Sequence, residues 1–133
     1  MGVATSHSKL RVAAWVLCVA GIVLHGCTAL FKSDHGLNAA VLAWFGEASL
    51  AYVTWAVVAS ALRHPAPAFG AALAMLVADG WMFKSVFIHP RGSTAAVGLA
   101  FLPIMNLLVI GPAGALVGWL LGWSVDRKRS RVA

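Results

Sequence analysis

Polar residues interrupt this chain in only a few places. Long apolar stretches cover residues 11–31, 37–62, 66–88 and 94–123, separated by "KSDHG", "RHPAP" and "HPRGS". Each stretch exceeds the roughly 20 residues that a helix rising about 1.5 Å per residue needs to cross a ~30 Å hydrocarbon core. None alternates with period two, and each is about twice the length of a barrel strand, which argues against strands. The pattern predicts an all-α fold, an integral membrane bundle of four transmembrane helices. The separators are rich in the Asp, Gly and Pro of tight turns, so the loops are short. No internal repeat, low-complexity tract or shift in composition marks a boundary. Residues 1–133 therefore read as a single transmembrane domain.

Composition strengthens that picture. The chain is 61% hydrophobic and 11% charged, with a mean hydropathy of +0.86, whereas soluble domains carry about 25% charged residues. The positive charges also have a pattern. Lys9 and Arg11, then Arg63, then Arg127, Lys128, Arg129 and Arg131 fall on one side of the predicted spans; Lys32 and Arg91 fall on the other, and Lys84 lies within a span. By the positive-inside rule both termini are cytoplasmic, N-in and C-in. The net charge of +6 is then a topology signal and calls for no nucleic acid. The tail "DRKRSRV" can also touch anionic headgroups. Short loops and an Ala- and Val-rich composition point to a cell membrane, the inner membrane of a bacterium. "MGVATS" fits a myristoylation pattern and "LHGC" a lipoprotein box. The first adds little to a chain that spans four times. The second follows an apolar run longer than a signal peptide's, so the first helix reads as a retained anchor.

Polar side chains inside the spans are the candidate chemistry. Counting residues from the helix ends places Asp79 about 14 Å from the outer end of the third span, with Glu47 on the second at similar depth. Asn106 on the fourth and His25 on the first complete a layer between the midplane and the outer face, with Lys84 just above it. Charges at this depth cost about 2.5–3.5 kcal/mol on insertion scales and so face the bundle interior, seeking partners. A carboxylate can also escape that cost by taking up a proton. Glu47 and Asp79 are therefore expected to bind a proton or cation, with Asn106, His25 and Lys84 as further ion- or substrate-binding candidates. Asp79 and Lys84, five positions apart, lie about 140° apart on a helix and do not pair with one another.

The fourth span carries the strongest local pattern. Gly114, Gly118 and Gly122 recur every four residues and form a stripe without side chains, which another helix can approach closely. That contact is expected within the bundle or across a homodimer through the fourth helix. Pro103 and Pro112 each remove a backbone hydrogen bond, which predicts a kinked or tilted helix around Asn106. Trp15 and Trp123 suit an interfacial belt. Trp44, Trp55, Trp81, Trp119 and Tyr52 are expected to pack, or to line a pocket.

Several chemistries are disfavoured. Cys18 and Cys27 are nine positions apart on one helix, on opposite faces, and cannot bridge. No Cys/His cluster has a metal-binding spacing, and no Walker, GxGxxG or GxSxG motif occurs. Neither a metal nor a cofactor is expected, and no catalytic residue is singled out. Glu47 in the second span, followed by the basic residue and proline of "RHP", resembles the DoxX-like four-helix proteins over one helix and one loop. Small multidrug exporters also have four short helices, but carry their essential glutamate in the first span, where this chain has His25. No residue is carried over from either resemblance. Three functions remain in view: a proton- or cation-coupled transporter or channel, a non-catalytic subunit of a larger membrane complex, and an intramembrane enzyme acting on a lipid or quinone.

Overall fold

A computed structural model describes residues 2–31, 38–88 and 94–129. Helix α1 covers Gly2–Phe31, α2 Ala39–Ala61, α3 Ala66–Phe83, α4 Thr94–Met105 and α5 Gly111–Arg129. A π turn, Lys84–Ile88, extends α3, and a second, Asn106–Ile110, joins α4 to α5 into one continuous span. The result is an all-helical bundle with four helices long and apolar enough to cross a membrane. Two boundaries differ from expectation. The first helix begins at Gly2 instead of residue 11, because nothing from residue 3 to residue 20 is Gly or Pro. The last continues past Trp123 to Arg129, with Arg127 and Lys128 in the last turn suited to the negative end of the helix dipole. The segments "KSDHG" and "HPRGS" lie outside the described residues.

Local chemistry explains the remaining ends. Asn38 caps α2, its side chain accepting the Val41 N–H at 3.0 Å, which satisfies one of the helix's orphan donors. Leu62 leaves the helix with extended backbone, and Pro65 and Pro67 frame the start of α3. Arg11 Nη2 donates to the Leu62 carbonyl at 2.8 Å, and Trp15 Nε1 to Ser60 Oγ at 3.2 Å. The start of α1 and the 62–65 turn therefore share one end of the bundle. The end of α5 joins them there, since Trp123 lines the same groove as His7 and His64.

Helix α3 packs against each of the others; α1 also contacts α2, and α2 contacts α4. The interior is built largely from alanine: Ala14, Ala48, Ala51, Ala56, Ala59, Ala68, Ala71 and Ala72 are buried. The large apolar side chains point outward, among them Phe31, Leu108, Val77, Leu121 and Trp81. This inverts the usual soluble pattern, in which an apolar surface of this extent is an aggregation hazard. It suits an apolar solvent, where helices associate through close backbone approach and polar contacts instead of hydrophobic collapse.

The closest approach joins α3 to α5. A Cβ placed on Gly118 would meet the Ala66 carbonyl carbon at 3.1 Å and Gly70 Cα at 3.2 Å; one on Gly114 would meet Ala71 Cα at 3.0 Å. The stripe foreseen in the fourth span is thus occupied inside the chain, by α3. Gly122 lies at its edge, facing Ala66. Cys18 is buried and Cys27 exposed, and both are free thiols.

Candidate functional site

Four spans converge on one carboxylate. Asp79, on α3, is 2% exposed. Its Oδ2 lies 2.9 Å from His25 Nε2 on α1 and also accepts the hydroxyl of Tyr52 on α2. Its Oδ1 accepts Asn106 Nδ2 from the fourth span at 2.7 Å. Each of the four spans contributes one polar side chain, and each contact crosses between spans. The Tyr52 hydroxyl and the Asn106 amide donate to the carboxyl group, and His25 donates there as well in the tautomer that carries its proton on Nε2.

Packing fixes this geometry. Tyr52 is fully buried and packs with Cys18, Ala51, Ala56, Ala72 and Met75. A Cβ on Gly21 would strike the Tyr52 ring itself, so the absence of a side chain at Gly21 is what admits the ring between α1 and α2. The His25 ring stands edge-on to Trp44, with centroids 5.5 Å apart and planes at 80°. Trp44 thus limits how far the imidazole can turn away from Asp79.

Asn106 reaches the cluster through the π turn. Pro112 has no N–H to give the Leu108 carbonyl, and its ring would crowd that group in a regular helix. The chain widens instead, and the Gly111 N–H bonds to the Asn106 carbonyl five residues back. One inserted residue rotates everything beyond it by about 100° relative to what precedes it. On an uninterrupted helix Gly114 and Gly118 would lie about 80° and 120° round from Asn106; after the insertion both lie within about 20° of it. The same face can then give Asn106 to Asp79 and two glycines to α3.

Three orphaned polar atoms lie in or near the cluster among the described residues. Asn106 Oδ1 and Trp55 Nε1 are buried without hydrogen-bond partners, and both residues adjoin Gly111. Ser49 Oγ, one turn from Tyr52 along α2, is likewise buried and unpartnered. Buried polar atoms left in this state are costly.

The structure brings together Asp79, Asn106 and His25 of the residues singled out from the sequence. Glu47 and Lys84 are both exposed and stand outside the cluster. The contribution of α2 is Tyr52, five positions and about 140° from Glu47. A signal for this choice was present. Ala48, Ala51, Ala56 and Ala59 mark the buried face of α2, and Tyr52 lies on that stripe while Glu47 lies off it. No group of His, Cys, Asp and Glu among the described residues could hold a metal ion. Compared with known protein families, with curated proteins and with solved structures, the chain matches none.

Proposed function

We propose that the protein is a proton-coupled membrane transporter in which the Asp79–His25 pair is the proton-binding site. The observation that carries this reading is the buried carboxylate of Asp79 receiving one donor from each of the other three spans. A lone carboxylate at bilayer depth is expensive. Uptake of a proton at Nδ1 of His25, whose Nε2 already faces Asp79, converts a site of net charge −1 into a neutral pair. Loading and unloading that proton changes the charge at the point where all four spans meet. Such a change is able to alter how the spans pack, which is what coupling requires. The π turn beside Asn106 supplies a segment that has already left regular helix geometry, a feature frequent at functional sites.

In this reading the bundle lies in a cell membrane, the bacterial inner membrane, with both termini cytoplasmic, as the distribution of Lys and Arg indicates. The test uses protein reconstituted in liposomes that enclose a pH-sensitive dye, with an imposed proton gradient and a panel of candidate small solutes outside. The expected result is solute-dependent proton flux in the wild type and none in Asp79→Asn or His25→Gln. Equal flux in all three proteins overturns the assignment.

A second reading, a subunit of a larger membrane complex, is favoured by Glu47. It stands exposed on α2, beside exposed Ala43, Gly46 and Leu50, with no ion pair among the described residues. A partner helix carrying a donor at that depth would relieve it. Co-purification of one defined protein in mild detergent, lost in Glu47→Leu, supports this reading, and a partner-free wild type refutes it.

A further inference from the structure

A groove of about 490 Å³ crosses the start of α3 at the end of the bundle where α1 begins and α5 ends. Its volume falls within the roughly 300–1,000 Å³ of small-molecule sites. Phe69 on α3 and Trp119 and Trp123 on α5 form its apolar walls, and His7, His64 and Asp126 stand at its polar end. From Trp119 to Asp126 the helix advances about 10 Å. The groove is therefore graded along the bundle axis, apolar inward and polar outward. Trp119 and Trp123 are each 52% exposed, so it opens onto the apolar flank of the bundle as well as at its end.

Charge decides what kind of head would sit at the polar end. Among the described residues Lys9, Arg11, Arg63, Arg127 and Lys128 belong to this end, against the carboxylate of Asp126. Arg127 already lies over the Trp123 ring, its guanidinium carbon 4.9 Å from the centroid, and Arg11 is engaged with Leu62. Arg63 is exposed directly before His64. The His7 and His64 rings meet edge to face at 5.1 Å, presenting two imidazoles side by side. An aromatic cleft leading into a cation-rich end matches an amphiphile with one apolar chain and an anionic head. A free inorganic anion would leave the aromatic walls unused, and a cationic amphiphile would face the surplus of positive charge.

We propose that this groove binds an anionic phospholipid, one acyl chain lying along Phe69, Trp119 and Trp123, and the phosphate at His7 and His64, with the exposed Arg63 beside the groove adding positive charge. Basic pockets between spanning helices recognise anionic headgroups in this way. The proposal rests on the bilayer-spanning reading of the chain and is independent of the Asp79 proton site. Loss of lipid selectivity with proton flux intact would count against the groove alone.

The experiment measures tryptophan fluorescence in phosphatidylcholine vesicles doped with a minor fraction of lipid brominated on its acyl chains. The doping lipid is either brominated phosphatidylglycerol or brominated phosphatidylcholine. Bromine quenches only tryptophans in contact with the chain. The expected result is several-fold stronger quenching by the anionic lipid at equal mole fraction. That excess should disappear in the Trp119→Phe, Trp123→Phe double variant and in the His64→Ala, Arg63→Gln double variant, both of which leave the Asp79 cluster untouched. Equal quenching by the two lipids overturns the proposal, as does an excess that survives either double variant. Abolition of the excess by added inorganic phosphate would reassign the polar end to a soluble anion and also overturns it.

Discussion

Replacing Asp79 by asparagine tests the described cluster more sharply than deleting it, because the orphaned oxygen of Asn106 offers a rescue. In Asp79→Asn the new carboxamide oxygen takes the place of Oδ2 and keeps the donors from His25 and Tyr52. The new NH₂ takes the place of Oδ1, where it would face the Asn106 NH₂, donor against donor. A half-turn of the Asn106 amide removes the conflict, turning its unpartnered Oδ1 toward the new NH₂. All three interhelical contacts survive, and the expected cost is below about 1 kcal/mol, the scale of one such contact in a membrane bundle. Asp79→Ala has no such escape. It loses three contacts at about 0.6–1.7 kcal/mol each, so the bundle should be destabilised by roughly 2–5 kcal/mol. Equilibrium unfolding in mixed detergent micelles, titrated with a denaturing detergent, measures both. If the protein is the transporter proposed above, proton flux should be lost in both variants, since neither retains the carboxylate. An Asp79→Asn variant as unstable as Asp79→Ala would refute this, because three donors would then not be satisfied by one group.

Other perturbations probe the parts that hold this cluster. Gly118→Ala forces a methyl against the Ala66 and Gly70 backbone and should cost about 1–3 kcal/mol as overpacking. Gly46→Ala and Gly80→Ala meet nothing within 4 Å and should gain up to about 1 kcal/mol from helix propensity; equal effects at the three sites in the same unfolding assay would contradict the α3–α5 seam. Gly21→Ala should displace Tyr52 and lower proton flux at least as far as Tyr52→Phe does, and a variant with wild-type flux would show that the ring is not wedged there. Pro112→Ala restores an N–H for the Leu108 carbonyl and removes the reason for the π turn. Although residue 112 is exposed and about 9 Å along the helix from Asn106, this change should impair flux, and an unaffected variant would separate the π turn from the site.

How much of the site was visible beforehand varies by residue. Asp79, His25 and Asn106 could be named because polar groups are rare in these spans, and their cost in lipid demands an interior position. Glu47 met the same criterion and stands outside the cluster. Depth along a helix is set by residue count alone, but direction around it depends on which face the neighbours cover. Tyr52 was expected to pack or to line a pocket; only its contact with Asp79 makes its hydroxyl matter.

The sequence by itself determined four helices long and apolar enough to cross a membrane, because each apolar stretch exceeds the length of a barrel strand and lacks its alternation. It also determined that α5 would bear a close helix contact, since three glycines four apart leave a bare stripe. Only the tertiary structure decided which helix fills that stripe, which face of α2 turns inward, and that one residue inserted after Asn106 aligns the polar group with the glycines. Those outcomes depend on packing between residues distant in the chain. A rotation of about 100° per residue makes them reverse with a single change of register.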